Sequence, residues 1–291
     1  MKTRHLTTMS TTGTDRPGSP QSPKCGGSDP LAKSFVFPDI KDKTVLVVGV
    51  GGGCDIISAF ALAEKLKTGD PAKLVYANTK TKIPDGLDCL SQHILRVPKD
   101  RIALSPAMRT HGTTFIDQSI PRGDEGCPLI LILPKGREHH TELAAELRGM
   151  SFDMIFSVDT GADSIVTEAT SGPEGRDQRM MRLLASLGRP WIHIVVAPGC
   201  DGETTFSQIQ DTVKKLDGAK RYSGCFSIAP MLPAMRQLAG PLKKNRTPNI
   251  ILDACSGTLD RGADGESLVI PRGRRPEIPR RWLSIALAID A

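Results

Sequence analysis

The chain has 291 residues, 39% hydrophobic and 24% charged, with a formal net charge of +6, which suits one large α/β domain with an adequate core. The positive excess is mild and split between the N-terminal stretch and the arginines near the C-terminus. With only 4% aromatic residues to stack on bases, a nucleic-acid partner is not expected. No apolar run approaches the roughly 20 residues of a membrane span, and seven scattered cysteines without a C-x-x-C pair argue against disulfide or zinc frameworks and for reduced thiols in the cytoplasm.

Residues 1–33 are rich in Thr, Ser, Gly and Pro and read as a disordered extension. Residues 34–291 read as a single domain. Thr44 to Val48 is a short β-branched and aliphatic run of the kind that forms a buried parallel strand. Gly49, Gly51, Gly52 and Gly53 follow, and an amphipathic segment begins near Asp55. Strand, glycine turn and helix make the first half of a βαβ unit. Bare amides at the start of such a helix favour an anion, so a phosphate or carboxylate ligand is expected there. The alternative is that the glycines only allow close strand-to-helix packing. The dinucleotide fingerprint is broken, because Cys54 stands where its third glycine would be and the second strand, Lys73 to Ala77, ends without an acid. Cys54, at the same helix start, reads either as a stabilised thiolate or as a small apolar filler.

A long insertion, Thr81 to Gly126, carries His93 and His111 and shows little periodicity, as functional or mobile loops do. Further strands are predicted at Leu129 to Leu133, Asp153 to Val158 and Trp191 to Val196, with a short one at Asn249 to Leu252. Helices are predicted at Glu138 to Leu147, Arg176 to Leu187 and Phe206 to Leu216. The alternation predicts a Rossmann-like, doubly wound, mostly parallel sheet with helices on both faces. The apolar run Trp282 to Ile289 at the end suggests a shortened C-terminus and an exposed sheet edge.

In such a sheet ligands bind beyond the carboxyl ends of the strands. Four loops are predicted there: Gly49 to Asp55, Asp159 to Asp163 (DTGAD), Pro198 to Glu203 (PGCDGE) and Asp253 to Gly257 (DACSG). Each joins glycine to an acid. Gathered carboxylates repel one another and need a cation, a shared proton or hydroxyl donors. Two arrangements fit. In one, Asp55, Asp159, Asp163 and Asp201 hold a magnesium-type ion beside a phosphate; in the other they accept hydrogen bonds from sugar hydroxyls. Helix caps and turn residues are the plain alternative.

Asp159, Asp163, Asp177 and Asp201 are the candidate catalytic acids and bases. Gly49, Gly51, Gly52, Gly53, Asp55, Gly161, Arg176, Gly199, Gly202 and Glu203 are the candidate ligand-binding residues. Arg176 and Arg179 can clamp a phosphate. His193, inside a strand, reads as a packed core residue, and the run Arg272, Arg274, Arg275, Arg280 and Arg281 as a solvated connector.

The motifs VGVGGGCDIISA from Val48, VDTGADS from Val158, GRDQRM from Gly175, APGCDGE from Ala197 and IPRR from Ile278 together resemble the family catalogued as domain of unknown function 1152. The resemblance runs from about residue 35 to the C-terminus and implies a Rossmann-like fold but no activity. Family members carry D-x-G-G-D where this chain has Ala162. The expected function is an enzyme acting on a phosphorylated sugar or nucleotide-like metabolite, magnesium being the implied cofactor. A non-catalytic metabolite sensor is the alternative, and an NAD-dependent oxidoreductase is less favoured. An oligomer is compatible with the sequence.

Overall fold

The computed structural model describes residues 29–51, 53–81, 88–96, 129–133, 140–166, 175–240 and 242–290. Eleven strands lie among these residues. Nine form one sheet in the order β3-β4-β5-β2-β1-β6-β7-β11-β8, where β1 is Thr44–Gly49, β2 Lys73–Lys80, β3 Asp88–Cys89, β4 Ile94–Arg96, β5 Leu129–Ile132, β6 Met154–Thr160, β7 Trp191–Val196, β8 Tyr222–Ser227 and β11 Ile285–Asp290. The strands β5, β2, β1, β6 and β7 run parallel to one another. A separate ribbon pairs β9 (Ser267–Val269) with β10 (Glu277–Pro279). The fold is thus the expected α/β doubly wound sheet, mostly parallel.

The helices are α1 (Asp55–Leu66), α2 (His140–Gly149), α3 (Arg176–Ala185), α4 (Phe206–Gly218), α5 (Leu232–Ala239), α6 (Thr247–Ser256) and the short α7 (Arg280–Leu283). Alternate residues of β1 divide the core. Val45 and Val47 face the cluster holding Ile57 and Phe60 of α1, Val213 of α4, Met235 of α5 and Ile251 of α6. Leu46 and Val48 face Leu143 of α2 and Leu183 of α3. That period of two is what a strand buried on both faces requires. Helix α1 is buried nearly all round from Asp55 to Ala63, because the sheet lies on one side of it and α5 on the other. No helix among the described residues is long and apolar enough to cross a membrane.

Strand order reverses at β1. The chain lays β2 and then β5 on one side and returns to place β6 and β7 on the other. The crevice of such a sheet opens between β1 and β6, where the two halves diverge.

Several expectations change. Residues Asn249 to Leu252 lie in α6, not in a strand. Pro248 in its first turn and Gly257 beyond its end, at φ +80°, bracket the helix as proline and glycine do. Asp253 to Gly257 is therefore a helix end and not a strand-end loop. The apolar run near the C-terminus is not an exposed edge: β11 inserts antiparallel between β7 and β8, pairing Ala286 with Val196 on one side and with Phe226 on the other. Residues 29–33 are docked onto the domain, since Tyr222 donates to the Pro30 carbonyl at 3.0 Å and Arg281 pairs with Asp29 at 2.7 Å. The rest of the extension, residues 1–28, lies outside the described residues, as do His111 and most of the insertion. Its described part, residues 88–96, is a hairpin tied to α2 by Ser91 and His93, both bonded to Glu146 at 2.6 and 3.0 Å.

Candidate functional site

Three of the predicted loops converge at the carboxyl ends of β1, β6 and β7. After β1 the chain turns at Gly51, whose amide donates to Asp55 Oδ2 at 2.6 Å. A Cβ on Gly51 would collide with carboxylate oxygens of both Asp55 and Asp177, so this position is bare because two acid side chains fill the space. Gly49 is bare for a different reason: a Cβ there would lie 2.9 Å from the backbone of Asp55 and Ile56, which is close strand-to-helix packing. The amide expected to cradle a phosphate therefore holds a carboxylate of the chain itself. Gly52 lies outside the described residues, and Gly53 leads into Cys54 at the helix start.

The β6 loop is locked to the β7 loop by Gly161 donating to Val196 O at 3.2 Å and Gly199 donating to Gly161 O at 2.8 Å. At φ +145° Gly161 lies directly against Asp201, whose Oδ2 would meet any Cβ added there. Asp201 Oδ1 accepts from the Glu203 amide at 3.0 Å, while its Oδ2 is buried without a hydrogen-bond partner. Gly199 serves packing, its missing Cβ making room for Ile278 and Ile209. A capping box at the start of α4 fixes the exit of this loop: Thr205 N donates to Gln208 Oε1 at 2.9 Å and Gln208 N donates back to Thr205 Oγ1.

Asp55, Asp159 and Asp177 form the tightest acidic group, with one oxygen of each within 4.8 Å of the others. All three are buried. Asp177 joins from the first turn of α3, whose N-terminus opens onto this edge, and meets Arg176 at 3.4 Å. This trio differs from the set expected to hold a metal: Asp177, expected as a base, belongs to it, whereas Asp163 and Asp201 stand outside it.

Burial and mutual repulsion raise the carboxyls above the ordinary carboxylate range. Desolvation, with Asp177 adding to it, raises Asp55 to about 7 against the pull of the Gly51 amide and Arg176. Desolvation and the neighbouring Asp163, Asp55 and Asp177 push Asp159 well above the ordinary carboxylate value. Asp163 rises to about 8, from burial first and then from Asp177 and Asp201. Burial raises Asp177 against Arg176 and takes Asp201 to about 6. Cys54 goes to about 11 through burial and the adjacent Asp55, so the helix start does not sustain a thiolate and the apolar-filler reading holds.

Behind Asp159 runs a buried hydrogen-bond chain that sequence reasoning missed. Trp191 Nε1 donates to Ser157 Oγ at 2.7 Å, and Ser157 Oγ lies 2.7 Å from His193 Nδ1. His193 Nε2 lies 2.9 Å from Ser164 Oγ, which donates to Asp159 Oδ2. An ionised Asp159 takes the single Ser164 proton and makes His193 the Nε2–H tautomer accepting from Ser157, whereas a protonated Asp159 leaves that proton for His193 Nε2. Burial lowers His193 to about 3 and keeps it neutral. The only signal in sequence was the alternation that puts Ser157 and Asp159 on one face of β6, and it does not reveal that His193 of β7 pairs in register beside Ser157.

The second missed element is the arginine-rich turn before β10. It docks on the β7 loop where a Cβ on Gly202 would strike the Arg272 carbonyl and one on Gly273 would strike the Gly202 carbonyl. Arg274 N donates to Gly202 O at 2.9 Å. Arg272 reaches Thr247 Oγ1 at 3.0 Å and Glu203 at 4.0 Å. Between this turn and α3 lies a cleft of about 460 Å³, lined by Asp163, Arg176, Asp177, Glu203, Thr204 and Arg274 among others. Arg179 does not line it. Lys80, buried at the end of β2, brings further positive charge to this edge near Cys54.

An all-oxygen set of buried carboxylates is the donor chemistry of hard divalent cations, and the residues present fit magnesium or manganese. No protein-family model matches the chain, and no curated protein is significantly similar to it.

Proposed function

We propose that the chain is a divalent-cation-dependent enzyme acting on a small phosphorylated metabolite of sugar or nucleotide type, bound at the carboxyl edge of the sheet. The observation that carries this reading is the buried trio Asp55, Asp159 and Asp177, whose oxygens lie within 4.8 Å of one another. Three like charges so close together, out of water, need a cation or shared protons. A bound magnesium ion would offset charge on a phosphoryl oxygen. Asp159 would be held in place by Ser164, whose hydroxyl is in turn held by His193. Asp163, raised to about 8, would give a proton to a leaving oxygen. Arg176 would pair with the anionic group. Kinship with the family catalogued as domain of unknown function 1152 belongs to the same proposal and rests on the motifs that line this edge.

A thermal-shift screen against sugar phosphates, nucleotides and NAD, with and without magnesium, tests the reading. A specific ligand well above its Kd adds roughly 2–4 kcal/mol. The expected result is a hit that requires magnesium and disappears in Asp159→Asn and Asp177→Asn. Magnesium-independent binding unchanged in both variants would refute it, and a ligand recovered intact after long incubation would make the chain a sensor.

A further inference from the structure

We propose that the cleft between α3 and the turn at residues 271–276 is an anion subsite built by Arg176, Arg274 and Thr204, and that it selects a phosphorylated polyhydroxy compound lacking an aromatic base. The proposal rests on the cation-dependent reading above and narrows its substrate class.

The opening of α3 alone would not define a site. Independent support comes from Thr204. It is 1% exposed, its Oγ1 is buried without a hydrogen-bond partner, and the residue lines the cleft. A buried hydroxyl left unpaired carries a free-energy cost that a ligand oxygen or amine would remove. Asp201, whose Oδ2 is also buried, lies three residues earlier on the same loop. Arg274 contributes from the opposite wall. Its backbone is fixed by the Gly202–Gly273 contact and the 2.9 Å bond to Gly202 O, while its side chain is exposed along the cleft. Two guanidinium groups on facing walls suit the fork geometry of a phosphate.

Charge and lining define the rest of the ligand. The cleft also presents Asp163, Asp177 and Glu203, which accept hydrogen bonds from hydroxyls and repel an anion unless the arginines or a cation hold it. That favours a molecule with hydroxyls at one end and phosphate at the other. The chain has eight Phe, two Tyr and two Trp. All except Phe115 lie among the described residues, and none of those lines the cleft. They pack in the core or on its margin, as in Phe60 with Tyr76 and Phe206 with Trp282. Among the described residues Val166 is the cleft's aliphatic one. Among the described residues a nucleobase finds neither a stacking platform nor an apolar slot there.

The test is calorimetric titration of the full chain, in saturating magnesium, with a panel of sugar phosphates including ribose 5-phosphate. AMP is measured alongside, since it is the same phosphosugar carrying adenine. Mn2+ binding is measured separately by electron paramagnetic resonance. We expect a sugar phosphate to bind more tightly than AMP. Arg274→Gln and Thr204→Val should each weaken it about tenfold while leaving Mn2+ affinity unchanged. Tighter binding of AMP overturns the selectivity. Unchanged sugar-phosphate affinity in both variants, or no binding of any compound to protein that holds Mn2+, overturns the subsite. Capture of a sugar phosphate by protein that does not bind Mn2+ supports the subsite and removes the cation reading on which its context was built.

Discussion

Replacing Asp55 by Asn should stabilise the metal-free protein, and the gain should grow with pH. In the folded chain burial and Asp177 raise Asp55 to about 7. Unfolded, the group titrates near its ordinary value of about 3.9. The folded state thus binds the proton more tightly, so stability is greatest below the unfolded value and is lost as pH rises through the folded one. At roughly 1.4 kcal/mol per pH unit across that window, the ionisation costs about 1.5 kcal/mol at pH 5 and about 4 kcal/mol at pH 8. Asn keeps the oxygen that accepts from Gly51 and removes the charge. The variant should therefore outlast the wild type, with the gap widening by about 2–3 kcal/mol between pH 5 and pH 8. At about 2–4 °C per kcal/mol for a chain of this size, that amounts to several degrees in Tm. Scanning calorimetry in chelator measures it. Added magnesium should then raise the wild-type Tm at pH 8 and do little for the variant. A gap that stays constant with pH, or a magnesium shift of equal size in both proteins, would refute the account of a strained acidic cluster awaiting a cation.

Other expectations follow from the same packing. The His193 ring resonances should stay at neutral-imidazole positions from pH 5 to pH 8 in nuclear magnetic resonance spectra, because burial lowers the group to about 3; a midpoint near 6.5 would mean that the ring is solvated. Ser164→Ala leaves His193 Nε2 and Asp159 without their shared partner and should cost about 1–3 kcal/mol in denaturant unfolding. Ala at Gly161 or Gly202 should destabilise by at least 1 kcal/mol, since both have positive φ and a Cβ would strike Asp201 or the Arg272 carbonyl; wild-type unfolding midpoints in both would overturn the close contacts described. Cys54, buried and raised to about 11, should resist iodoacetamide at pH 8 until the protein is unfolded, as read by mass spectrometry.

Local sequence determined the scaffold of this edge. A β-branched run, a glycine turn and an apolar segment commit residues 44–66 to strand, turn and helix by propensity and periodicity, which act over a few residues. The parallel sheet that such units build then gathers strand ends at one edge, so Asp55, Asp159, Asp163 and Asp201 were legible as neighbours. What remained hidden depended on partners distant in sequence. Nothing near Ile285 says that an apolar run will enter the sheet antiparallel between β7 and β8. Pairing Ser157 with His193 follows from the β6–β7 register. Arg272 and Arg274 look like a solvated connector until Gly202 and Gly273 bring two backbones into contact. Asp177 joined Asp55 and Asp159, in place of Asp163, because Met180, Leu183 and Leu184 pack α3 onto the second face of the sheet. Propensity chooses the elements; burial of shared surface between distant ones chooses which side chains meet.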